Sequence, residues 1–113
     1  MPSPTSEKDD VPKGALEMLI LKTLTVQPMH GYAIVQHIER LSGGVFVIEH
    51  GSLYPALERL QSNGWIIGKW RQSPTGRRAR YYTISAAGRR RFGDKVTAFD
   101  RVTAAIDGVM KGS

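Results

Sequence analysis

Between Gly51 and Gly64 the chain reads GSLYPALERLQSNG, and no other stretch limits its fold as tightly. Leu53, Leu57 and Leu60 recur at i, i+4 and i+7, so a helix over about 52–63 gathers them on one face and turns that face to a core. The other face carries Ser52, Glu58, Arg59 and Ser62, with Tyr54 and Gln61 on its flank. Ser52 is expected to cap the start, its hydroxyl accepting from a first-turn amide. Pro55 is expected in the first turn, where no intrahelical donor is needed. Gly64 supplies the left-handed residue that stops a helix. An apolar face inward and a hydrogen-bonding face outward suit any amphipathic surface helix. They also suit a helix that lies in a DNA major groove.

Charge decides between those two readings. Residues 1–50 hold four Lys/Arg against six Asp/Glu, and residues 51–113 hold twelve against four. Between Lys69 and Arg91 there are eight basic residues and no acidic one. Such a run repels itself, so it implies a polyanionic partner, nucleic acid first and an anionic membrane surface second. The chain has no cysteine, which excludes disulfides, thiolate metal sites and cysteine nucleophiles. No apolar run approaches the ~20 residues of a membrane span. The polar, acidic N-terminus is unlike a signal peptide, so the expectation is a soluble, cytoplasmic protein without a membrane partner.

In chain order, residues 1–12 (MPSPTSEKDDVP) read as a disordered tail. A first helix, about Ala15–Thr25, carries Leu16, Leu19, Ile20 and Leu24, broadened by Met18 and Leu21, and its extra apolar faces can meet a second protomer. Gln27-Pro28 ends it. His30-Gly31 opens a second helix, about Tyr32–Leu41, with Ile34, Val35, Ile38 and Leu41 inward, and Ser42-Gly43-Gly44 closes it. Val45–Ile48 is a short β-type run. Trp65–Arg71 and Arg80–Ser85 flank the turn sequence Gln72–Gly76 and make a hairpin with a basic tip, Thr75–Arg78. Gly68 marks a bulge or a close approach. Tyr82 and Ile84 share one strand face, Tyr81 and Thr83 the other. Trp65 is assigned to the core; Trp70 either covers the core's edge, the safer reading, or lines a dimer cavity.

From Ser85, a good N-cap, the pattern is helical to the end. Phe92, Val96, Phe99, Val102, Ile106, Val109 and Met110 step by threes and fours into a narrow seam. No chain remains to cover it, so it predicts self-association through residues 85–113, with folding back onto its own domain as the alternative.

The whole is α+β and mostly α: a winged helix-turn-helix domain at 13–84, with its wing at about 65–84, followed by a long C-terminal helix for dimerisation. Candidate DNA contacts follow from chemistry. Gly51 and Ser52 can bring backbone amides to a phosphate. Arg77 and Arg78 at the wing tip suit phosphates or a narrow minor groove, and Arg80 stands at the start of the return strand. Arg59 can reach a base or a phosphate. Tyr54 either contacts sugar-phosphate through its hydroxyl or packs on the wing. His30 and Tyr32 are placed to meet phosphate. Arg89, Arg90 and Arg91 sit at the wrong end of a helix dipole, which fits either an external anion or simple solvation. His30, His37 and His50 have no ligand spacing, and no nucleotide-binding glycine fingerprint or nucleophile–base set occurs, so no metal, cofactor or enzyme activity is expected.

Four stretches, KGALEMLILKTL (Lys13–Leu24), MHGYAIVQHIE (Met29–Glu39), GSLYPALERLQSNGWI (Gly51–Ile66) and RRARYYTISAAGR (Arg77–Arg89), stand in this order and at these spacings. Together they resemble the PadR family of bacterial transcriptional regulators over about residues 13–91, and the short C-terminal region resembles its smaller subgroup. The resemblance implies a homodimeric repressor on an inverted-repeat operator in double-stranded DNA. Several members are released from DNA by small aromatic ligands or drugs, which makes a small aromatic or drug-like effector a candidate partner here, with none assigned to this chain. Some members of that subgroup line their dimer cavity with a Trp on the last helix, whereas here that helix has Phe92 and Phe99 and no Trp. The alternative is a protein-interaction module that uses the C-terminal helix and has no specific DNA binding.

Overall fold

The computed structural model describes residues 8–12 and 14–112. The chain runs β1 (Asp9–Asp10), α1 (Ala15–Val26), β2 (Met29–His30), α2 (Gly31–Leu41), β3 (Phe46–Val47), α3 (His50–Ser62), β4 (Ile66–Gln72), β5 (Arg78–Ile84) and α4 (Ala86–Lys111). Helix α1 is the hub, packing against α2, α3, β5 and α4. Its Ile20, Leu21 and Leu24 are buried with Ile34 and Ile38 of α2, Leu53, Leu57 and Leu60 of α3, and Ile66, Tyr82 and Ile84 of the hairpin. Thr23 is buried without penalty because its hydroxyl donates to the Leu19 carbonyl at 2.8 Å.

Two short strands were not visible in the residue pattern. Met29 and His30 pair antiparallel with Tyr82 and Tyr81, which makes the hairpin a three-stranded sheet of order β2-β5-β4. Asp9 and Asp10 pair parallel with Phe46 and Val47, and the Asp9 amide donates to the Val45 carbonyl at 2.8 Å. Within the stretch expected as a tail, Asp9 and Asp10 are thus strand and Val11 packs against the core. Residues 1–7 of that tail lie outside the described residues.

Helix α2 begins where expected, with His30 as its cap: the imidazole Nδ1 accepts from the Ala33 amide at 3.1 Å. Leu41, expected to face inward, is 70% exposed. It is the last residue of the helix, and Gly43 and Gly44, both at positive φ, turn the chain away before anything can cover it. Glu39 then fixes the approach to α3, accepting from the Ile48 amide at 2.9 Å.

Helix α3 starts at His50, two residues before the expected Ser52. Glu49 is its cap residue, and the Glu49 carbonyl accepts from the Ser52 and Leu53 amides at 3.0 Å. No side chain caps this end, so the Ser52 hydroxyl has no capping role. Pro55 consequently falls in the second turn rather than the first. It has no N–H to offer the Gly51 carbonyl, which lies on the exposed side where water can replace that donor. The apolar stripe is as expected: Leu53, Leu57 and Leu60 are buried, joined by Ala56, and Gly64 at φ 74° ends the helix.

Strands β4 and β5 pair without interruption from Ile66↔Ile84 to Gln72↔Arg78, so Gly68 is not a bulge. Ser85 joins the hairpin to α4. Its hydroxyl accepts from the Gly88 amide at 3.0 Å and donates to the Gly64 carbonyl at 2.6 Å. A Cβ on Gly88 would overlap the Trp65 carbonyl, so a glycine is required for α4 to lie this close to the hairpin base. Phe92 packs on the core and Val96 is half-buried, but every residue from Phe99 to Gly112 is exposed.

Candidate nucleic-acid interface

Helix α3, the start of α2 and the wing border one open groove of about 390 Å³, lined by His30, Gly31, Tyr32, Tyr54, Trp70, Ala79, Arg80 and Tyr82. Tyr32 and Tyr54 are exposed on its helical wall. The Tyr54 ring stacks on His50, with centroids 5.9 Å apart and planes 18° from parallel. Gly51, Ser52, Glu58 and Ser62 are exposed along α3.

The wing is held to α3 by one directional contact. Arg80 Nη2 donates to Gln61 Oε1 at 3.0 Å, across the strand position of Gly68. A Cβ on Gly68 would come within 2.5 Å of Arg80 Nε and 2.7 Å of Gln61 Oε1. The close approach expected at Gly68 is therefore real, and its purpose is to let this pair form. Arg80, a candidate DNA contact, is thus already bonded within the chain, with further guanidinium donors left over.

The other candidates separate by what they touch. Arg77 and Arg78 are exposed at the wing tip, which is closed by the Ser73 amide donating to the Arg77 carbonyl at 2.6 Å and by Gly76 at φ 87°. The Arg78 guanidinium lies 5.6 Å from the Trp70 ring centre. Arg59 turns toward α1, its Nε 3.3 Å from Glu17 Oε2, an exposed pair of small energetic value. His30 spends Nδ1 on its cap and meets Tyr81 edge-to-face at 5.3 Å. Arg89 and Arg90 are exposed on the first turn of α4, whereas Arg91 lies over Trp65 at 4.6 Å with a buried Nε. Arg91 is thus a packing residue rather than a third free cation. Burial pushes the Tyr82 phenol above its ordinary value, against the pull of the Arg80 guanidinium, so it remains a neutral part of the groove floor.

Trp70 overturns an expectation. Of the places weighed for it, the core is excluded, since the ring is 58% exposed. Ile66, Gly68 and Trp70 share one face of β4, and only Ile66, at the hairpin base, reaches the core before the wing rises away from it. The signal lay in distance along the strand: Trp70 pairs with Arg80, four steps beyond the core pair Ile66↔Ile84. Trp65, at the base, does pack against the core.

The seam of α4 divides. Phe92 and Val96 are partly covered by the chain's own domain, while Phe99, Val102, Ile106, Val109 and Met110 are exposed. Among the described residues no group of His, Asp or Glu is arranged to hold a metal ion, and no helix is long and apolar enough to cross a membrane.

Comparison with known proteins agrees with this arrangement. A family model described as the transcriptional regulator PadR-like family matches residues 20–94. An uncharacterized protein of Lysinibacillus sphaericus is 27% identical over 105 residues, spanning 93% of this chain and 96% of that one. A transcriptional regulator from Clostridium thermocellum has a similar structure, with a TM-score of 0.81 and 26% identity over 88% of this chain and 96% of that one. A PadR-like transcriptional regulator from Bacillus cereus gives a TM-score of 0.75 at 25% identity, covering 89% of this chain and 96% of that one. With the family matched across most of the described fold, from α1 into α4, the chain belongs to the PadR-like family of transcriptional regulators.

Proposed function

We propose that this regulator binds duplex DNA as a homodimer and represses transcription by occupying an inverted-repeat operator. The observation that carries the reading is the Arg80–Gln61 bond, which sets a basic hairpin beside the polar face of α3 as one unit. Helix α3 enters the major groove, and Arg77 and Arg78 meet phosphates or the adjoining minor groove. Tyr32, Tyr54, the Gly51 amide and the Ser52 hydroxyl face the backbone between them, the Ser52 amide being bonded to the Glu49 carbonyl. Pairing through Phe92, Val96 and the exposed residues Phe99, Val102, Ile106, Val109 and Met110 covers the seam of α4. It also gives two α3 helices, spaced ~34–36 Å apart on a palindromic site. A small aromatic effector, if bound between paired α4 helices, releases DNA only by favouring a dimer with a different α3 spacing. A repressor of this kind works in the cytoplasm.

A salt titration of binding to operator and random duplexes tests this. The logarithm of affinity should fall linearly with the logarithm of salt, and the Arg77→Ala/Arg78→Ala variant should flatten that slope by about two units. An unaltered slope removes the wing from the mechanism. The exposed seam of α4 also fits a protein-interaction module; a monomer without low-salt affinity for duplex DNA would favour that reading.

A further inference from the structure

An exposed tryptophan on a regular strand calls for an explanation. Trp70 is 58% exposed, although β4 is paired at every residue, so no loop movement can tuck the ring away. Among the described residues the Arg78 guanidinium at 5.6 Å is its one ring neighbour of opposite character, and it leaves most of the indole open. Across the groove stand the exposed rings of Tyr32 and Tyr54. Between them lies Arg80, held by Gln61 with donors to spare. No carboxylate lines this groove among the described residues.

A groove with flat apolar walls, hydroxyl and indole donors and a fixed guanidinium matches one kind of polymer. It is one whose links alternate between a flat, weakly polar sugar and an anion. We propose that Trp70 is a DNA-backbone contact: its ring packs on a deoxyribose, and its indole N–H donates to an adjacent phosphate of the strand running between α3 and the wing. The assignment rests on the DNA-binding reading above. It extends that reading by giving the wing an apolar anchor in addition to its arginines. Because the contact touches no base edge and neutralises no phosphate charge, it strengthens operator and random duplexes alike and leaves the salt slope unchanged.

Two tryptophans in the chain make the test direct. Trp70→Ala should fold, as judged by circular dichroism, and bind both duplexes about tenfold more weakly with an unchanged salt slope. Trp70→Phe should recover most of the loss, since it keeps the flat ring. In Trp65→Phe, whose only indole is Trp70, acrylamide quenching should drop when duplex DNA is added. If that variant does not fold, the quenching difference between wild type and Trp70→Phe reports the same residue. Wild-type affinity in Trp70→Ala, or quenching of Trp70 unaltered by DNA, overturns the assignment while leaving the DNA-binding reading intact. Protection of Trp70 in the DNA-free protein that is lost on dilution assigns the ring to a second copy and overturns it as well. A wild-type protein with no salt-dependent affinity for duplex DNA overturns both.

Discussion

Helices α3 and α4 carry the same kind of apolar stripe, stepping by threes and fours, yet only one of them is satisfied by its own chain. Leu53, Leu57 and Leu60 of α3 are almost fully buried. In α4 the stripe is covered as far as Phe92 and Val96, and then Ile106 is 56% and Met110 77% exposed. Periodicity states that a face needs covering. What covers it depends on where the helix axis leads, and Ser85 and Gly88 set α4 on a line that leaves the domain after three turns. The contrast separates intramolecular stability from assembly, and each of the following experiments bears on it.

The largest effect belongs to α3. Leu57→Ala should cost about 2–5 kcal/mol in urea unfolding, because it opens a cavity in the single core. Its loss should be the same at every protein concentration. Ile106→Asp should leave the monomer's far-ultraviolet spectrum unchanged, yet shift light scattering from dimer to monomer and lower operator affinity by about a hundredfold, since one half-site must then hold alone. Concentration-dependent stability that survives this change would place the dimer contact elsewhere. Gly68→Ala should push the Arg80 and Gln61 side-chain ends apart and lose their hydrogen bond at a cost of about 1 kcal/mol, read as faster amide exchange in β4 and β5 with α4 unaffected. Arg59→Ala should change stability by no more than about 0.5 kcal/mol, because its pair with Glu17 is open to solvent. If operator preference falls in that variant, Arg59 leaves Glu17 to read a base; if only affinity falls, it meets phosphate.

How far each feature was legible depends on whether its cause is local. The stripes of α1 and α3, the left-handed stop at Gly64 and the cap at Ser85 are decided within a few residues, and all stand as the residue pattern implied. The expected start of α3 lies two residues late because no side chain caps this end, so no residue type marks it. The two-residue strands β1 and β2 carry no alternation long enough to recognise, and exist because β3 and β5 offer them an edge. At the candidate interface the arginines of the wing tip were legible from charge. The intramolecular engagement of Arg80, Arg91 and Arg59 was not, since each partner lies far off in the chain.

By itself the amino-acid order determined the four helices and the hairpin in their succession, the buried stripes of α1 and α3 and the one-sided basic character of the hairpin. These follow from short-range sterics and from the spacing of apolar and charged side chains, which are properties of the chain before it folds. Tertiary structure alone decided that Trp70 stands in the groove and that Arg80 is tied to Gln61. It alone decided that the α4 seam is left bare from Phe99 onward. Each of these is set by where a strand or helix axis points after packing, and that direction is fixed by contacts between residues distant in sequence.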